Sequence, residues 1–170
     1  RTSLGISYYK HGATEDKSKI RIGEYLGKRS RGWAIISYAA LKEEKINIID
    51  LKLQFYVSEI GGNNHKLQII SYNKSYDPRN TGAKSIYTEL GNPRTIYETT
   101  TATRTKGKHT IQLGSSLIQD LQDEINIYNT GEFILGFREK GDDDNFASFS
   151  GYKYLEPKLI MTYYHVPDKP

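Results

Sequence analysis

The chain has 170 residues, enough for one domain with a real core and too few for two ordinary ones. It contains no cysteine, which excludes thiolate metal sites, thiol nucleophiles and disulfide staples. The net charge of +4 is a small excess of 24 basic over 20 acidic residues, too mild a bias for a nucleic-acid module.

Gly5 to Lys10 reads as a first short strand and Ile20 to Leu26 as a second. Gly27-Lys28-Arg29-Ser30 reads as a loop, and Arg31 to Tyr38 as the next strand. Ile48 to Val57 alternates most clearly: Leu51, Leu53, Phe55 and Val57 fall on one face, and Lys52, Gln54 and Tyr56 on the other. Gly61-Gly62-Asn63-Asn64 is a hairpin signal, which predicts that this strand pairs with Lys66 to Tyr72. From Asn73 to Lys106 the pattern is irregular, with breakers at Asp77-Pro78 and Gly91-Asn92-Pro93. The threonines between Thr99 and Thr105 suggest an extended edge strand. One helix is predicted over 116–127, with Leu117, Leu121 and Ile125 spaced by four and Ser116 and Gln119 placed for a capping box. Gly131 closes the connection that follows. The chain then gives an alternating run through Phe137, an acidic loop and a Phe146–Ser150 stretch. A last strand has Leu159, Met161 and Tyr163 at spacing two. These elements predict an all-β jelly-roll sandwich of two antiparallel sheets with one short helix, in one domain over 1–170.

Residue constellations for catalysis are absent from the pattern. The four histidines show no HxH or HxxxH spacing, and there is no GxSxG. Acidic pairs for glycoside hydrolysis need a cleft that spacing alone does not reveal, and most acids here fall in loops or in the helix. Asp142, Asp143, Asp144 and Asn145 offer oxygen ligands for calcium, the one cofactor with a candidate site. They lack the EF-hand spacing, and a charged hairpin tip that protects sheet edges is the plainer reading.

The surface with most chemical content comes from strand parity. Lys52, Gln54 and Tyr56 would lie beside Lys66, Gln68 and Tyr72 if the hairpin pairs their strands. Aromatic faces stack on sugar rings, and Lys and Gln reach hydroxyls and acid groups. The 14 tyrosines, against 5 Phe and 1 Trp, suit half-exposed sheet faces of this kind. Arg29 and Arg31, in the basic Lys28–Arg31 cluster, are added to the candidate ligand-binding set; solvated turns would carry such a cluster equally well.

Two segments carry a family resemblance. Arg31-Gly32-Trp33-Ala34-Ile35-Ile36 followed by Ile48 to Val57 resembles the early strands of DNRLRE-type domains, with Asp50 where the family usually has a small residue. Leu113-Gly114, helix 116–127 and Phe133-Ile134-Leu135-Gly136-Phe137 are similar to the family's late helix and glycine-bearing strand. Phe146-Ala147-Ser148 through Ser150-Gly151-Tyr152, then Glu156-Pro157 through Tyr163, resembles its ending. The resemblance implies a jelly-roll module of secreted and surface bacterial proteins, without catalytic activity. Some such modules bind carbohydrate beside polysaccharide lyases, and others serve as spacers or adhesive domains. The expectation is a monomeric carbohydrate-binding module excised from a larger extracellular or cell-surface protein. Its partner would be a polysaccharide, anionic in the manner of alginate or sulfated glycans. Contacts to neighbouring domains are expected, and neither nucleic acid nor a membrane span. The alternative is a structural or adhesive spacer.

Overall fold

The computed structural model describes residues 2–13, 19–25, 27–41, 44–62, 65–140, 146–149 and 156–167, for 2–13, 25 and 149 the backbone alone. The proposed calcium loop Asp142–Asn145 lies outside the described residues. The early strands are β1 (Thr2–Ala13), β2 (Ile20–Tyr25), β3 (Lys28–Ser30), β4 (Gly32–Ser37), β5 (Ile46–Gly61) and β6 (Leu67–Ser71). Helix α1 (Ala83–Gly91) follows, then β7 (Ile96–Thr100), β8 (Gly107–Gln112) and helix α2 (Ser115–Asp123). The chain closes on β9 (Glu132–Glu139), β10 (Phe146–Phe149) and β11 (Lys158–His165).

Two antiparallel sheets pack together. The first holds six strands: β10 and β11 lie along one edge of the long β5, β8 along the other, and β2 and β3 extend beyond β10. The second holds four, in the order β4-β9-β6-β7. Strand β1 runs through both: Thr2–Ser7 pair with β11, and from Tyr8 onward the strand pairs with β4, with an irregularity between Tyr8 and Lys10. Two predicted features are corrected here. The 27–30 segment includes a strand, β3, and there are two α-helices rather than one.

Alternation places the core. Leu51, Leu53, Phe55 and Val57 of β5 are buried together with Leu159, Met161 and Tyr163 of β11, as their spacing predicts. The alternation slips by one at Ile49: Thr162 faces Asp50 while Tyr163 faces Ile48, so Ile49 is an extra residue and lies exposed. The slip keeps Ile46 and Ile48 inward despite their different parity. Leu67, Ile69, Leu135 and Phe137 supply the facing layer from the second sheet.

Each helix covers a surface that the sheets leave open. Leu117, Leu121 and Ile125 of α2 and the turn after it enter the main core at one end of the sandwich. The polar side chains of this segment complete the free edge of β5: Gln122 Oε1 accepts from Ile48 N at 2.7 Å, and Asn126 pairs with both backbone groups of Ile46 at 2.8 and 2.9 Å. Unpaired backbone at a buried edge would otherwise be costly. The predicted capping box does not form; Gly114 is the N-cap, and Gln119 bonds Asp123 instead. Helix α1 lies on the outer face of the second sheet, where Ile86 and Leu90 pack on Trp33, Ile35 and Ile70. Gly136 permits that approach, because a Cβ there would lie 2.6 Å from Leu90 and 2.7 Å from Ile70.

Candidate functional site

The hairpin expected between β5 and β6 does not form; the two strands belong to different sheets. Consequently the two predicted triplets are separated by the whole sandwich. Lys52, Gln54 and Tyr56 lie on the outer face of the first sheet, and Gln68 and Tyr72 on the outer side of the second. Gln68 is buried and accepts a hydrogen bond from Arg138 Nε at 2.8 Å. Tyr72 is half-buried beside α1 and donates its hydroxyl to the Tyr76 carbonyl. Burial first, then the nearby Glu89 and Asp77 charges, raises the Tyr72 phenol above its ordinary range, so it remains a donor. Lys66 is exposed just before β6.

The two arginines are engaged within the fold. Arg29 on β3 lies 3.9 Å from Glu24. Arg31 donates to the Tyr87 carbonyl at 2.8 Å and stacks 4.0 Å over the Tyr87 ring, fastening α1 to the second sheet. Burial, and after it the neighbouring Arg31 guanidinium, lowers the pKa of Arg138.

What remains of the predicted face gains new members through pairing. Lys52 stands opposite Gln112 of β8 and Ile160 of β11; Gln54 stands between Thr110 and Lys158; Tyr56 stands opposite Lys108. The outward parity of β8 is Lys108, Thr110 and Gln112, all exposed, while His109 turns inward against the Phe55 ring at 5.7 Å. Three lysines thus alternate with amides, a threonine and a tyrosine on a three-strand surface. At ordinary strand spacing it is about 10 Å wide and about 13 Å long. One carboxylate moderates it: Asp50 lies 4.0 Å from Lys52 Nζ and accepts from Gln112 Nε2 at 2.7 Å. Neither helix packs on this face. Lys108 and Lys158 were missed because their membership depends on which strands flank β5, although the alternation of β8 and β11 carries the right parity.

A second concavity of about 850 Å³ opens at one end of the sandwich, between the 72–79 segment, the approach to β7, α2 and the start of β9. Ion pairs line it. Arg79 bridges Asp77 at 2.6 Å and Glu132 at 2.8 Å, Arg94 meets Asp120 at 2.7 Å, and Lys74 meets Glu124 at 2.5 Å. Bonds from Arg79 hold the Asp77 carboxyl below its usual range. Tyr97 donates to Asp120 at 2.6 Å, and burial followed by that bond pushes its phenol upward. Glu124, 3% exposed, also receives the hydroxyls of Tyr38 at 3.0 Å and of Thr130. Nothing in the sequence spacing announces this groove, which draws on four separated segments.

Among the described residues no group of three or more His, Asp or Glu side chains is placed to hold a metal ion. Nor is any helix there long and apolar enough to cross a membrane. No family model matches the chain, and no curated protein is significantly similar to it.

Proposed function

We propose that the protein is a non-catalytic carbohydrate-binding module, and that the outer face of its first sheet binds an anionic polysaccharide. The observation that carries this reading is the set Lys52, Lys108 and Lys158, interleaved with Gln54, Gln112, Thr110 and Tyr56 on an open sheet surface. Lysine suits uronate or sulfate as a mobile point charge, the amides suit hydroxyls, and the Tyr56 ring suits the C–H face of a sugar. An extended polymer lying on a flat, pleated face needs no enclosed pocket. The resemblance of the sequence to DNRLRE-type jelly-roll domains supports the same reading, and export of the protein is part of the proposal.

Titration with alginate oligosaccharides at low and high ionic strength tests the proposal. Affinity should fall steeply with added salt, because exposed charges are screened beyond about 8–10 Å. Salt-independent binding, or none, contradicts it. New reducing ends or unsaturated products on incubation with the polymer would contradict the non-catalytic part.

A second reading is a structural or adhesive spacer that faces other protein domains. The exposed Ile49, Tyr164 and Val166 favour it, since they gather where β5 begins and β11 ends. Loss of all glycan binding together with a stable contact through this end would select that reading.

A further inference from the structure

We propose that the groove beside α2 is a second and chemically different ligand site, which takes an uncharged hexose unit of a glycan. Charge argues first. Six carboxylates (Asp77, Glu89, Asp120, Asp123, Glu124 and Glu132) line the groove against three cations, and each cation is already engaged by a carboxylate. A uronate or sulfate entering here meets an excess of carboxylates, and every cation in the groove already shares its charge with one of them. The ligand of the lysine face is thus excluded from the groove.

Hydrogen-bonding capacity argues next. Among the described residues Asp120 uses one carboxylate oxygen for both Arg94 and Tyr97, which leaves its other oxygen as an acceptor. Arg94, with a side chain 72% exposed, commits only one terminal nitrogen. Asn92 donates to the Thr88 carbonyl and retains its own side-chain oxygen. A fixed carboxylate beside a guanidinium offers an acceptor and donors together, which is what a pair of neighbouring hydroxyls requires, each hydroxyl being both donor and acceptor. A simple cation would satisfy the acceptors but leave the Arg94 donors without a partner. Tyr128 supplies an apolar surface: its residue is 65% exposed, with Lys74 Nζ 4.9 Å from the ring centre. A pyranose has both a hydroxyl edge and a C–H face, and this wall provides for both.

The ion pairs also give rigidity. The Arg79 bridge and the Arg94–Asp120 pair tie the 72–79 segment and the β7 approach to β9 and α2, so the polar groups are positioned before a ligand arrives.

The test is calorimetric titration with maltotetraose, cellotetraose, mannotetraose and β-1,4-galactotetraose, repeated on Arg94→Ala and Asn92→Ala. At least one sugar should bind with a Kd below about 10 mM, a normal threshold for a weak single-sugar contact. That affinity should drop about tenfold or more in each variant and should change little with salt. Alginate binding should be unaffected by either variant, so failure here is distinguishable from failure of the lysine-face reading. Absence of binding by all four sugars, binding that survives both substitutions, or preferential binding of spermidine overturns the proposal. Thermal unfolding of both variants close to the parent confirms that any loss is local.

Discussion

Replacing Glu124 by Gln should destabilise the protein by about 2–3 kcal/mol. The carboxylate is 3% exposed and receives three donors: Tyr38 Oη at 3.0 Å, the Thr130 hydroxyl and Lys74 Nζ. Hydrogen bonds to a charged group contribute about 1.5–3 kcal/mol each, against about 0.5–1.5 kcal/mol for neutral ones. The amide keeps one oxygen for Tyr38 and Thr130, at neutral strength. Its NH2 group then faces the Lys74 ammonium, donor against donor. The Lys74 side chain is 51% exposed and can turn to water, which holds the loss below the 3–5 kcal/mol typical of a fully buried broken pair. Urea unfolding followed by fluorescence measures the change, with the slope expected to stay constant. Lys74→Met should cost a comparable amount, about 2–3 kcal/mol, because it leaves the buried Glu124 carboxylate without its counter-charge. A loss below about 0.5 kcal/mol in the Gln variant would refute the view that Glu124 organises this end of the sandwich.

Further predictions concern packing and pH. Gly136→Ala should destabilise by about 1–3 kcal/mol, since its Cβ would overlap Leu90 and Ile70 beneath α1; Gly82→Ala, with nothing within 4 Å, should cost under about 1 kcal/mol. Equal effects in urea would contradict the packing of α1 on the second sheet. His65 is fully buried, and burial lowers its pKa below the ordinary 6.5, helped by repulsion from Arg104. The unfolded chain therefore binds the His65 proton more readily, so this stabilisation is complete above about pH 6.5 and is lost as pH falls through the depressed folded value. His65→Gln should flatten the stability profile between about pH 6.5 and 4.5, above the range where paired carboxylates such as Glu59 and Asp77 begin to protonate. An unchanged profile in that window would contradict the assignment.

The legible part of the fold is the part written in strict alternation. Leu51, Leu53, Phe55 and Val57, and later Leu159, Met161 and Tyr163, announce their burial because their strands have one wet face and one dry face. Helix α1 escaped because its apolar side is only Ile86 and Leu90, a narrow stripe between breakers, and its partner surface is the outer face of a sheet. The Gly61–Asn64 turn signal was silent about destination: β5 before it and β6 after it belong to different sheets. That silence explains the site as well. Parity correctly grouped Lys52, Gln54 and Tyr56, yet their neighbours Lys108 and Lys158 come from strands about 50 and 100 residues away, set by register that local pattern does not contain. Arg31 belongs to the candidate ligand-binding set, and its stacking on Tyr87 depends on a helix that the pattern had not revealed.

The central claim is that one lysine-bearing sheet face takes an anionic glycan, and a charge-matched comparison tests it most directly. Alginate affinity would be measured by calorimetry for Lys52→Ala/Lys108→Ala/Lys158→Ala and for a control, Lys66→Ala/Lys84→Ala/Lys140→Ala, whose exposed lysines lie before β6, on α1 and after β9. Both variants lose the same net charge. The account predicts that only the first loses affinity, by about tenfold or more, together with its salt dependence. Equal losses in the two variants, or retained affinity in the first, would contradict it.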